Sequence, residues 1–139
     1  MTIRETQESI IADFRLIGDE FNRYTLLIEL SKELRKPEEE KLTDDRLVKG
    51  CQSRVWLDIA YPGGRSRISA YSDTLLIRGI LSLILEVYND RTPAEILENE
   101  LYFFEGAGIA EFLTEERSKG MARVIADIRK SAEMQIEKR

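Results

Sequence analysis

Apolar positions change their period twice along the chain, and each change marks an element boundary. Ile10, Ile11, Phe14 and Ile17 share one face at helical spacing. Thr2-Ile3-Arg4-Glu5 ahead of them has capping-box separation, and Gly18 supplies a stop. Phe21, Tyr24, Leu27, Ile28 and Leu34 predict a second helix, ended by Pro37. Residues 37–46 (PEEEKLTDDR) carry no apolar period and read as a solvated, charged connection, not a ligand site.

From residue 54 the period becomes two. Val55, Leu57, Ile59 and Tyr61 alternate with Arg54, Trp56, Asp58 and Ala60, which is strand spacing. Pro62-Gly63-Gly64 supplies a turn, and residues 65–71 return as an antiparallel partner; a further short strand is expected around residues 47–49. Ser72-Asp73 then predicts the cap of a helix running to about Tyr88. That helix is apolar on nearly all sides, so it belongs in the middle of the molecule. Thr92-Pro93 opens a short helix, and Thr114 caps a last one with a stripe of Met121, Val124, Ile125, Ile128 and Ala132. Helices, a hairpin, then more helices predict an α+β fold, a small antiparallel sheet packed against several helices. With no repeat or linker in 139 residues, one domain over 1–139 is expected.

Composition removes whole classes of chemistry. There is one cysteine and no histidine. An intramolecular disulfide, a multi-cysteine metal site, Ser-His-Asp or Cys-His catalysis and an HExxH zinc site are therefore all excluded. No bound cofactor and no metal are expected. The formal charge of −5 argues against sequence-independent nucleic-acid binding. Residues 75–87, the most hydrophobic run, are too short to span a bilayer and contain Arg78. No membrane association and a cytoplasmic location are the expectation, since the first residues lack an apolar signal core.

What chemistry remains centres on the cysteine, in Val48-Lys49-Gly50-Cys51-Gln52-Ser53-Arg54-Val55-Trp56. A lone intracellular cysteine is commonly a small buried hydrophobe. Cys51, however, stands at a glycine-preceded turn between a charged segment and a strand, flanked by Lys49 and Arg54. Neighbouring cations lower a thiol's pKa, the main route to a thiolate where no imidazole serves as base.

Gly50-Cys51-Gln52-Ser53-Arg54-Val55-Trp56 resembles the GCQSxVW signature of the SufE family, sulfur acceptors for cysteine desulfurases in iron–sulfur cluster assembly. Ser72-Asp73-Thr74-Leu75-Leu76-Ile77-Arg78-Gly79 resembles that family's Ser-Asp…Ile-Val-Lys/Arg-Gly segment, and residues 103–120 (FFEGAGIAEFLTEERSKG) its F…lgL…Ls.sR..GL stretch. The three matches fall in order. The resemblance implies a fold shared with IscU/NifU-type scaffolds, from which the single cysteine separates this chain. It implies a pyridoxal-phosphate cysteine desulfurase as partner, from whose persulfide Cys51 takes sulfur, and a downstream iron–sulfur scaffold as recipient. Monomer and homodimer are both left open. On this reading the chain is a sulfur carrier and activator that depends on its partner enzyme.

Around the thiol, Gly50 is expected to give a tight turn, with Gln52 and Ser53 as candidate hydrogen-bond donors. Trp56 falls on the polar side of its strand, where it packs under a helix, shields the thiol or meets a partner. Asp73 has a bland explanation as a helix cap worth roughly 1 kcal/mol; the resemblance adds a place near the cysteine loop. Arg117, at the third position of the last helix, is disfavoured there by the helix dipole. By resemblance it steadies the thiolate, the persulfide or Asp73. Two other classes fit a lone reactive thiol, a redox sensor or peroxidase and a non-catalytic adaptor of a desulfurase; a metal scaffold fits worst.

Overall fold

The computed structural model describes residues 1–50 and 53–138. Helix α1 (Ile3–Ile17) begins at the expected capping box: Thr2 Oγ1 accepts from the Glu5 N–H, and the Glu5 carboxylate accepts from the Thr2 N–H, each at 3.0 Å. It buries Ile3, Thr6, Gln7, Ile10, Ile11 and Phe14, and stops at Gly18, whose φ of 81° suits a residue without a Cβ. Helix α2 (Glu20–Leu30) is shorter than the apolar spacing suggests. The Ser31 hydroxyl donates to the Ile28 carbonyl, the chain tightens into a 3₁₀ turn over Ser31–Glu33, and Leu34 is already extended. Helical structure therefore ends ahead of Pro37. Of this helix's apolar residues only Leu27 is fully buried, while Phe21 is 77% exposed.

Strands β1 (Val55–Ala60) and β2 (Arg67–Ser72) pair antiparallel, with Val55 opposite Ser72 and Ala60 opposite Arg67, closed by the turn Pro62–Gly64. The expected third strand shrinks to a bridge between Leu47 and Trp56, supported by the Val48 N–H donating to Val55 O at 2.8 Å. Helix α3 (Leu75–Tyr88) follows directly. Helices α4 (Pro93–Glu98), α5 (Phe103–Gly106) and α6 (Glu115–Glu137) complete the chain. Thr92 and Glu95 form a second capping box, and Thr114 Oγ1 caps α6 by accepting from the Arg117 N–H at 3.2 Å.

Helix α3 occupies the centre, against α1, α2 and β2. Leu76, Ile77, Ile80, Leu81, Leu83, Ile84, Val87 and Tyr88 are buried, each large aliphatic contributing about 1.5–3 kcal/mol. Gly79 sets the spacing to α2. A Cβ built there would lie 2.0 Å from the Leu27 carbonyl oxygen. Gly79→Ala is thus expected to destabilise by at least about 1–3 kcal/mol, because backbone must move. A urea midpoint unchanged from the parent would refute this contact.

On the solvent side of α3, Glu86 faces Glu33 and Asp13 across a groove also lined by Leu30, Leu34 and Leu85. Desolvation by the groove, and then the charges of Glu33 and Asp13, raise the Glu86 carboxyl above its ordinary 4.5. The residue is exposed as a whole, so the effect on stability is modest. A raised folded-state pKa favours folding at pH below the unfolded value, and that advantage is lost as pH rises through the folded one. Glu86→Gln is expected to melt slightly higher than the parent at pH 7, with the gain vanishing below about pH 4.5. A gain that persists undiminished in acid would show the repulsion is not its source.

Candidate functional site

Cys51 and Gln52 lie outside the described residues, so the site is built from what flanks them. Leu47 bridges Trp56, and the Val48 N–H meets Val55 O, so residues 49–54 leave and rejoin the sheet at adjacent points. Gly50 enters this connection at φ 84°, with open space where a Cβ would stand. A left-handed backbone there is what glycine supplies cheaply.

The far side of the loop is fastened to the start of α3. Asp73 Oδ1 accepts from the Arg54 N–H at 3.2 Å, and the Asp73 N–H donates to Arg54 O at 3.4 Å. Thr74 Oγ1 lies 2.9 Å from Ser53 Oγ, to which it donates, and 3.2 Å from Asp73 Oδ1. Thr74 thus links Ser53 to Asp73. The structure corrects the expected capping role: Thr74 holds the N-cap position of α3, with no side-chain cap bond. The strand ladder runs one pair beyond β2, and that pairing commits Asp73 to Arg54. Ser72 turns inward, fully buried, and its hydroxyl accepts from the Thr74 N–H.

Two residues of this clasp stand in the second resembling segment, residues 72–79, but the sequence alone assigns them no role. Thr74 reaches Ser53 across 21 positions. Arg78 donates from Nε to Ser72 O at 2.6 Å, with its guanidinium 4.5 Å above the Tyr71 ring, locking the end of β2 onto α3.

Arg117 sits in the first turn of α6 and is half-buried. Its Nε is closed off from solvent and has no hydrogen-bond partner, and among the described residues no carboxylate pairs with it. It makes no ion pair with Asp73, whose Oδ1 accepts from the Arg54 N–H and lies 3.2 Å from Thr74 Oγ1. Lys49 and Arg54 are both exposed, and neither forms an ion pair among the described residues.

Trp56 is half-buried in the wall of a cavity of about 290 Å³ shared with residues 35–46. The charged connection, read from sequence as plain solvated chain, therefore walls a groove. Among the described residues no cluster of ligating side chains suits a metal ion, and no helix is long and apolar enough to cross a membrane.

Against known proteins, residues 8–132 match SufE, described as an Fe-S metabolism associated domain. A SufE-like protein of Rhizobium etli is 32% identical over 133 residues, covering 91% of this chain and 89% of its own. One from Rhizobium meliloti is 30% identical over 132 residues, covering 91% and 94%. Neither relative has a characterised activity in its name. A solution structure of a hypothetical protein from Thermus thermophilus superposes with a TM-score of 0.75 over 99% of both chains at 18% identity, which speaks to the α+β fold alone. With the family matched over most of its length, the chain belongs to the SufE family and to iron–sulfur metabolism.

Proposed function

We propose that the protein accepts sulfane sulfur from a cysteine desulfurase as a persulfide on Cys51 and relays it toward iron–sulfur cluster assembly. The observation that carries this reading is the clasp: in a SufE-family chain, the loop bearing the only thiol is held at both ends, by Val48 to Val55 and by Asp73 to Arg54.

The thiolate of Cys51 attacks the terminal sulfur of the partner's persulfide. A sulfur–sulfur bond forms at Cys51 as the partner's breaks, the proton stays on the transferred sulfur, and the partner's cysteine leaves as thiolate. Cys51 is oxidised from thiolate to persulfide as the partner's cysteine is reduced from persulfide to thiolate, so no outside oxidant or reductant is needed. Without an imidazole, thiolate character rests on cations, for which Lys49, Arg54 and the unpaired Arg117 are the candidates. Since no second thiol is present, the persulfide cannot be displaced into an internal disulfide.

Incubation with a cysteine desulfurase and free cysteine should add the mass of one sulfur atom to the intact chain. Cys51→Ser should abolish the adduct and the stimulation of the desulfurase. An equal adduct on that variant, or none on the parent, overturns the proposal.

Asp73 acts through the backbone of Arg54 and is a positioning residue. Asp73→Ala should slow sulfur uptake about tenfold or more, in line with about 1.5–3 kcal/mol for a hydrogen bond to a charged group. Asp73→Asn keeps an acceptor oxygen and should recover most of the rate. Equal rates for the two variants would show that the clasp does not set the loop.

A further inference from the structure

The groove beside Trp56 combines three features that nothing in sulfur transfer calls for. The first is charge. Arg35, Lys36, Lys41 and Arg46 converge on one cavity in a chain of net charge −5. Among the described residues Arg35, Lys36 and Lys41 have no ion-pair partner, and Arg46 reaches only Asp58, at 3.9 Å. Glu38 and Asp58 also line the cavity, leaving it with an excess of two positive charges.

The second feature is a strand edge that, among the described residues, is paired only over its first half. Along an antiparallel strand, successive residues direct their backbone groups to opposite sides. Arg54 O accepts from Asp73 on the β2 side, and Val55 O accepts from Val48 on the other. The same alternation turns the N–H and C=O of Leu57 and Ile59 away from β2. The Leu47–Trp56 bridge takes up the first of these groups, the Leu57 N–H beside Arg46, and stops short of the Leu57 C=O and of Ile59; Leu57 lies in the cavity wall. An edge of this kind is a template for an added strand.

The third is apolar footing. Trp56 and Leu57 contribute to the wall, and the Trp56 indole N–H is closed off from solvent without an acceptor.

We infer that this groove is the docking site for an extended acidic segment of a partner protein, which adds to the edge of β1 while its carboxylates meet Arg35, Lys36, Lys41 and Arg46. Backbone pairing with a free edge supplies affinity, and the cations select the sequence. The interleaved Glu38 and Asp58 oppose a continuous phosphate backbone, so an acidic peptide fits better than a nucleic acid. The inference is independent of the sulfur-transfer reading and stands or falls by direct binding.

Trp56 is the only tryptophan, so its emission reports on the groove without interference. The full chain is titrated with a short peptide of alternating Glu and Val, with a Lys-Val peptide and a double-stranded oligonucleotide as comparisons. Expected are a saturable change in Trp56 emission with the acidic peptide alone, at least about fivefold weaker binding on raising salt from about 20 to about 200 mM, and slowed amide exchange at Ile59. The double variant Lys36→Glu/Lys41→Glu changes exposed, unpaired side chains, so it should melt like the parent and lose at least about tenfold in affinity. An unchanged affinity in that variant overturns the inference. So does an emission change without protection of Ile59, or tighter binding of the oligonucleotide than of the peptide.

Discussion

The contact between Gly79 and the Leu27 carbonyl is the constraint on which the rest of the molecule is arranged. A sheet of two strands cannot bury much by itself, and α1, α2 and β2 each offer only one apolar side. The core closes because α3 is apolar on nearly every side and can be surrounded. That arrangement works only if neighbouring backbones come close, and a glycine on α3 opposite Leu27 allows it. Gly106 plays a lesser part, since a Cβ there would meet the Ile11 side chain at 2.7 Å, and a side chain can move.

A central helix also has ends, and their polar groups must be met inside the protein. Arg91, just past α3, is buried and donates to Val87 O, Met1 O and Thr6 Oγ1, while its own N–H meets Ser66 Oγ. The side chain thus ties the N-terminus to the end of α3, and the backbone of the same residue ties in the chain just ahead of β2. Asn89 mimics a third strand, exchanging hydrogen bonds with the N–H and C=O of Ile68. Gln7 does the same service for α1, donating to Glu100 O and accepting from Tyr102 and Phe103. These ties join residues remote in sequence and make the position of α3 unique, where apolar burial alone would let it slide.

What could be read from the sequence was local. The caps at Thr2, Thr92 and Thr114 are set by residues within one turn, and all three stand where spacing places them. The strand pair and the central helix followed from period alone. Asp73 was misread as a cap because the competing partner, Arg54, lies 19 positions away. Phe21 and Tyr24 continue an apolar helical spacing, yet they are 77% and 42% exposed, because periodicity shows which residues share a face and not whether anything covers it. Likewise residues 35–46 are hydrophilic by any local measure, and only the fold places them opposite Trp56. The cysteine motif was legible as a resemblance, whereas its fastening by Thr74 and Asp73 depends on where α3 starts relative to β1.

The two regions of interest share one stem, the Leu47–Trp56 bridge, with the cysteine loop on one side and the basic groove on the other. Their cations answer to different physics. Screening reduces charge effects beyond about 8 Å at physiological ionic strength, so a thiol responds mainly to its immediate neighbours. Lys49 and Arg54 are two and three residues from Cys51 and suit that role. On the docking proposal, the groove cations act on the bound segment, where charge serves to select and orient a partner. On the proposed sulfur-carrier function, a partner is met before any bond is made, and keeping these roles apart is an advantage. The surface that recognises can then vary without disturbing the group that reacts. Joining them through a single bridge means that an occupant along β1 is held next to the stem from which the thiol-bearing loop emerges.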